Sequence, residues 1–316
     1  MDRLLVSDAT SQRGGMEPIH ERGRGQTRPA LRRSHVMSWG LENRLARIIR
    51  PQTGRTVMLA IDHGYFLGPT SGLEDPSVQC APLTDYADTL MLTRGVLRNC
   101  IPSDTGTPIV LRVSGGTSVL QEDLSDETII TSMEECIRLN AVGMALSVFV
   151  GAPHQHQSIA NLGRLVDEGE RYGIPVVAVT AVGKSMGRDA RYLSLASRIC
   201  AEMGAHIVKT YHCEDFENVT STCPVPIVVA GGKKLPEAEA LELTANAIAG
   251  GAVGVDMGRN IFQSDAPAAM IQAVRAVVHD DATAAEAFEL YRELGAAGGG
   301  AVEAAAGAAL DDERKI

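Results

Sequence analysis

His206-Ile-Val-Lys-Thr-Tyr-His212 is a strand-length run of apolar and β-branched residues with one ammonium group, Lys209, at its centre. The run follows a helical pattern that ends in Met203-Gly204-Ala205, with Gly204 placed as a helix stop. A lysine is almost never fully buried unless paired. Desolvation lowers its pKa and makes the amine a usable nucleophile. Lys209 therefore reads either as a side chain that snorkels out at a strand end or as a group kept for chemistry. The surrounding pattern decides between them, because the same unit recurs along the chain.

Seven more apolar runs of strand length flank it: Thr56–Ile61, Thr89–Thr93, Pro108–Val113, Gly143–Val150, Pro175–Val182, Val225–Ala230 and Ala252–Asp256. Between them lie segments with helical spacing. Ser125, followed by Asp126 and Glu127, predicts a capped helix running to about Leu139. Gln157 to Tyr172 stops at Gly173, Ala190 to Met203 stops at Gly204, Pro236 to Ile248 stops at Gly250-Gly251, and Asp265 to Val278 closes the series. Near-continuous apolar strands belong to a sheet covered on both faces. Eight of them alternating with helices predict an α/β chain folded as a (β/α)8 TIM barrel. An extra N-terminal helix (Leu41–Ile49) and an extra C-terminal helix (Ala284–Leu294) complete the expectation. A doubly wound open sheet fits less well, since no GxGxxG follows the first strand. The organisation expected is a disordered arm over 1–36, a catalytic barrel over 37–281, and a helix with an Ala/Gly-rich tail over 282–316. The arm is Arg/Gly-rich without periodicity, and translation could start further on, at Met37.

The 316 residues carry a net charge of −10, which argues against general binding to nucleic acid or anionic membranes. Aromatic residues are 4%, too few for stacking platforms. Any anion must therefore be met by a local cationic pocket. Six cysteines (Cys80, Cys100, Cys136, Cys200, Cys213, Cys223) show no CxxC pair and read as reduced thiols. No run is long enough for a membrane helix, and the N-terminus has no apolar signal core. The chain is thus expected to be cytoplasmic.

In such a barrel the C-terminal strand ends share one site. Here they hold Asp62 and His63, Arg94, Arg112, Lys184, Lys209, Gly231-Gly232 and Gly258-Arg259. Gly231 and Gly232 let a ligand approach the backbone, and Arg259 can grip phosphate with a planar fork. Loops after strands seven and eight are the usual phosphate position of this fold. Asp62 would act as acid/base or pair with Lys209, and His63 would shuttle protons or hold a loop. Arg94, Arg112 and Lys184 are candidates for the rest of an anionic substrate. His154, His156 and His212 have no carboxylate at metal spacing, so no metal is expected.

The motifs Leu-Ala-Ile-Asp62-His-Gly, Ile-Val-Lys209-Thr-Tyr, Val-Ala-Gly231-Gly-Lys-Lys and Asp256-Met-Gly-Arg-Asn260-Ile-Phe-Gln resemble the class I aldolase family. That family includes the archaeal-type fructose-bisphosphate aldolases and deoxyribose-phosphate aldolase, and the likeness covers about residues 41–279. The resemblance implies Lys209 as the active lysine, Asp62 as its neighbour, and Gly231, Gly232, Gly258 and Arg259 as phosphate ligands. It also implies a homo-oligomer, as a ring of subunits. One departure is informative. The aldolases carry Trp-x-Tyr-Pro-Arg-Gly at the end of strand five, where the tyrosine handles a proton. The aligned stretch here is Val179-Thr-Ala-Val-Gly-Lys184, with Ala181 in the tyrosine position. That favours a branch of the family that cleaves a small phosphorylated dione with CoA as co-substrate and no cofactor. Lys209 would act there as a Schiff base or as an ammonium beside an enolate. The alternatives are a class I Schiff-base aldolase on a phosphorylated sugar and a non-catalytic phosphosugar-binding protein.

Overall fold

A computed structural model describes residues 38–181 and 187–297. Eight parallel strands close into a barrel: β1 Thr56–Ala60, β2 Thr89–Thr93, β3 Ile109–Arg112, β4 Gly143–Val148, β5 Val176–Thr180, β6 Ile207–Tyr211, β7 Ile227–Ala230 and β8 Gly254–Met257. Each pairs with its sequence neighbours, and β8 returns to β1 with Thr56 opposite Gly254. Several apolar runs overshoot their strands by one or two residues, because the same side chains continue into buried loop starts.

Alternation along the strands separates two cores. Met58, Ala60, Met91, Val110, Ala145, Val177, Ile207 and Val228 point inward. The helix Trp39–Ile48 closes one end of the barrel on them with Leu41, Leu45 and Ile48. The intervening residues, among them Val57, Leu59, Leu90, Leu111, Leu146 and Val208, face outward to the helical layer. At Gly254 a Cβ would stand 1.9 Å from the Thr56 carbonyl oxygen, so only glycine lets β8 close on β1.

The expected helix from Ser125 is corrected. Thr128–Ile129 instead forms a short antiparallel hairpin with Ser114–Gly115, and the helix begins only at Met133, capped by Ser132. The run Thr128-Ile-Ile-Thr131 is β-branched throughout and suits a strand better than a helical turn. The other helices fall close to expectation, at Gln155–Tyr172, Ala190–Glu202, Glu237–Ala249 and Pro267–His279. Residues 284–297 are helical too. The expected arm over 1–36 and most of the Ala/Gly-rich tail lie outside the described residues.

At the closed end, Asp88 accepts from the Val57 amide at 2.7 Å, Arg275 at 2.9 Å and His279 at 2.6 Å, and it also pairs with Arg50. Burial alone would raise its pKa, but these donors outweigh it and hold the carboxyl at about 2. This knot ties β1 and β2 to the last helix of the barrel, at the end away from the chemistry.

Candidate active site

The strand C-termini surround a cavity of about 330 Å³ lined by Asp62, His63, Arg112, Lys209, Gly231, Gly232, Gly258 and Arg259. Lys209 lies mid-strand on β6 and points inward, level with Val179 of β5 and Val228 of β7. Only 8% of it is exposed. Its Nζ is 3.0 Å from Oδ2 of Asp256 on β8, a carboxylate that is 1% exposed. The small Ala230, register partner of Asp256 on the strand between, faces the same cavity. The contact is an ion pair without good hydrogen-bond alignment, since neither Asp256 oxygen has a hydrogen-bond partner among the described residues. Burial raises the Asp256 pKa, Lys209 opposes that rise, and Asp62 adds to it.

Asp62 does not hold Lys209, as one sequence reading had it. Its Oδ2 accepts from Arg112 Nε at 2.8 Å, and Arg112 NH1 donates to Ser147 at 2.9 Å. Burial opposes ionisation of Asp62, but Arg112, His63 and Lys209 together bring its pKa below the usual carboxylate value. Arg112, 5% exposed, is held between Asp62, Ser147 and the face of Tyr65, 5.1 Å from the ring centre, and still lines the cavity. His63 stands 3.9 Å from Asp62 and meets Phe262 edge-on. Burial lowers its pKa to about 4; Asp62 works against that, and the neighbouring cations reinforce it. At neutral pH His63 is thus an uncharged imidazole.

Across the cavity, Gly232 adopts φ +70°, a left-handed turn that glycine favours. Gly258 packs so closely that a Cβ would lie 2.3 Å from the Ala60 carbonyl oxygen and 2.5 Å from His63. Arg259 follows, and its Nε is buried with no hydrogen-bond partner among the described residues. Asn260 clamps the two loops by donating to Gly231 O and accepting from the Leu235 amide, each at 2.8 Å. A glycine cradle beside a half-buried guanidinium whose Nε lacks a partner among the described residues suits a phosphate.

One candidate, Arg94, falls away. Arg94 is exposed at the start of the helix Arg94–Cys100 and does not line the cavity. Lys184 lies outside the described residues. Of the lysines after β7, Lys234 is spent on Glu237 and the Leu235 carbonyl, and Lys233 is exposed. No cysteine lines the cavity, and burial pushes the thiols of Cys80, Cys136 and Cys200 up to about 12. His154 does sit 3.7 Å from both Asp123 and Asp126, partners brought by folding, yet no group of three metal-type ligands forms among the described residues. Sequence reasoning missed Asp256, although it stood inside a quoted motif. It also missed Tyr65, Ser147 and Glu127, which only the fold gathers. Ala181 lines the cavity, as its alignment with the aldolase tyrosine requires.

A buried lysine beside a carboxylate thus shares one cavity with a glycine and arginine rim at the mouth of an eight-stranded barrel, an arrangement found in enzymes rather than required by packing. The chain belongs to the DeoC/LacD family of aldolases, whose model matches residues 56–264. It is 58% identical over 262 residues to an uncharacterized aldolase of Pasteurella multocida, covering 83% of this chain and 90% of the relative. It is 56% identical over 269 residues to the 3-hydroxy-5-phosphonooxypentane-2,4-dione thiolase of Yersinia pseudotuberculosis, covering 84% and 92%. Among solved structures, an archaeal fructose 1,6-bisphosphate aldolase superposes with a TM-score of 0.69 at 22% identity, over 76% of this chain and 99% of its own. The fructose-bisphosphate aldolase of Slackia heliotrinireducens gives 0.73 at 18%, over 84% and 96%. Both share the barrel fold.

Proposed function

We propose that the protein is an acyltransferase that cleaves 3-hydroxy-5-phosphonooxypentane-2,4-dione with coenzyme A, giving acetyl-CoA and dihydroxyacetone phosphate in the degradation of autoinducer-2. The observation that carries this is the 56% identity to the Yersinia thiolase across nearly the whole barrel. The loss of the aldolase tyrosine at Ala181 agrees with it.

In this reading the phosphate docks on Gly231, Gly232, Gly258 and Arg259, which sets the carbonyl beside the scissile bond over Lys209. Asp256 accepts a proton from Lys209, and the amine adds to that carbonyl with loss of water to form an iminium. The CoA thiol loses its proton, and the sulfur adds to the acetyl carbonyl. The carbon–carbon bond then breaks. Its electron pair moves into the iminium to give an enamine, and acetyl-CoA is released. Protonation of the enamine carbon and hydrolysis of the imine free dihydroxyacetone phosphate and Lys209. The ionised Asp62–Arg112 pair fixes the field around the lysine. The enzyme works in the cytoplasm as a homo-oligomer, with CoA as co-substrate and no bound cofactor.

Product analysis with the phosphorylated dione, with and without CoA, tests the reading. Acetyl-CoA and dihydroxyacetone phosphate formed only with CoA are expected. Cleavage without CoA would instead establish an aldolase, and binding without turnover a non-catalytic protein.

A further inference from the structure

Cleavage leaves a carbon that must be protonated, and the residue that handles the proton in the aldolases is here Ala181. Tyr65 supplies a phenol close to that place from the opposite side of the barrel. It leaves the turn after β1 and lies against the Arg112 guanidinium on β3. Its hydroxyl reaches to 3.4 Å from Ser147 Oγ on β4. Ser147 is the register partner of Val179 on β5, two residues before Ala181. The hydroxyl thus arrives one strand away from the position of the missing tyrosine, within the cavity that holds Lys209.

It does not arrive alone. Tyr65 donates to Glu127 Oε1 at 2.8 Å, and Ser114 Oγ donates to Oε2 at 2.6 Å. Glu127 is 2% exposed and no cation among the described residues pairs with it directly, a costly placement that barrel packing does not require. The hairpin that displaces the expected helix is what brings Glu127 here, and its Gly115 leaves room for Ile130, 2.9 Å from where a Cβ would stand.

We infer that Tyr65 is the acid that protonates the carbon released by cleavage, with Glu127 as the proton store behind it. The inference rests on the proposed acetyl transfer for the identity of that carbon. As the CoA thiol gives its proton to the Tyr65 oxygen, the phenol's own proton moves to Glu127. After the bond breaks the flow reverses: Tyr65 gives a proton to the enamine carbon and regains one from Glu127. The thiol proton ends on carbon, and both residues return to their starting state. Burial, only partly offset by Arg112, pushes the Tyr65 pKa above its ordinary value, so the phenol stays protonated between these events.

Hydrogen–deuterium exchange at the hydroxymethyl carbon of dihydroxyacetone phosphate in heavy water reads this step without CoA. Tyr65→Phe is expected to slow exchange on the order of 100-fold, while borohydride still traps the ketone on Lys209 and the melting temperature holds. Glu127→Gln should slow exchange as well. Wild-type exchange in a Tyr65→Phe enzyme that still traps the ketone would overturn the assignment. So would loss of exchange and trapping together, which would mark a structural role, or absence of exchange in the wild type. Product analysis with and without CoA judges the acetyl transfer separately. CoA-independent cleavage would end that reading, yet a selective exchange defect would still identify Tyr65 as the acid.

Discussion

The Nζ of Lys209 rests 3.0 Å from Oδ2 of Asp256, two residues before the Gly258 that opens the phosphate cradle. One strand, β8, therefore carries the carboxylate beside the amine and leads directly into the turn proposed to hold the substrate's phosphate. Asp256→Asn keeps the shape but cannot accept the proton from Lys209. Turnover should fall on the order of 10²–10⁴-fold, with imine trapping slowed alongside it. Equal trapping rates in variant and wild type would remove Asp256 from this role.

Lys209→Ala should abolish turnover while the barrel still folds. Breaking a buried ion pair typically costs about 3–5 kcal/mol, but Asp256 can respond by becoming neutral, because burial already raises its pKa. A carboxyl with a raised folded-state pKa contributes stability at low pH and loses it as pH rises through that pKa. Lys209→Ala should therefore be destabilised more at pH 8 than at pH 5, as urea melts at the two values would show.

The Asp62–Arg112 pair behaves differently, since Asp62 is held ionised. Arg112→Leu strands a buried carboxylate and should cost about 3–5 kcal/mol. Arg112→Lys should recover only part of this, because an ammonium cannot serve Asp62 and Ser147 in the planar arrangement of a guanidinium. Denaturant midpoints with unchanged slopes would check both.

The barrel was legible because its signal is periodic: eight strand runs and their helix stops each announce themselves locally. That Gly231, Gly232, Gly258 and Arg259 share the cavity was legible because the loops after strands seven and eight occupy positions the fold fixes in advance. What escaped was pairing across the barrel. Asp62 and Asp256 both close apolar strands, and nothing local says which of them faces Lys209; the stagger of β6 against β8 decides it. The Glu127 region misled for a related reason. Ser125-Asp-Glu looks like a helix cap, yet its carboxylate is drawn inward by Tyr65 and Ser114, residues distant in sequence. Arg112 read as a substrate cation, and its pairing with Asp62 and Ser147 across three strands was not legible.

Arg259 and Gly258 should separate binding from chemistry. Arg259→Ala removes charge-assisted hydrogen bonds worth about 1.5–3 kcal/mol, and KM for the phosphorylated substrate should rise roughly 10–150-fold. Gly258→Ala pushes a methyl group against the Ala60 carbonyl and His63, so the loop must shift. Its KM should rise too, because the displaced turn no longer fits the phosphate. Titration with inorganic phosphate, followed by calorimetry, would show both losses without turnover.

His63 gives the fold a definite response to acid. Its pKa is lowered to about 4 in the folded protein, against an ordinary value of 6.5. Between those values the unfolded chain binds a proton that the folded chain refuses, so the unfolded state gains on acidification. Stability should therefore fall as pH drops from 6.5 toward 4, by about 3 kcal/mol from this group, and level off for it below 4. His206 and His212 also have lowered pKa values through burial, and they add a smaller slope of the same sign. Asp88, held at about 2, contributes stability that is full above its ordinary value of 3.8 and is lost progressively as pH falls from there toward 2. In His63→Gln the fall in stability between pH 6.5 and 4 should shrink by the share that His63 contributes. Melting temperatures of both proteins across that range would measure it, and parallel curves would show that His63 does not govern the acid response.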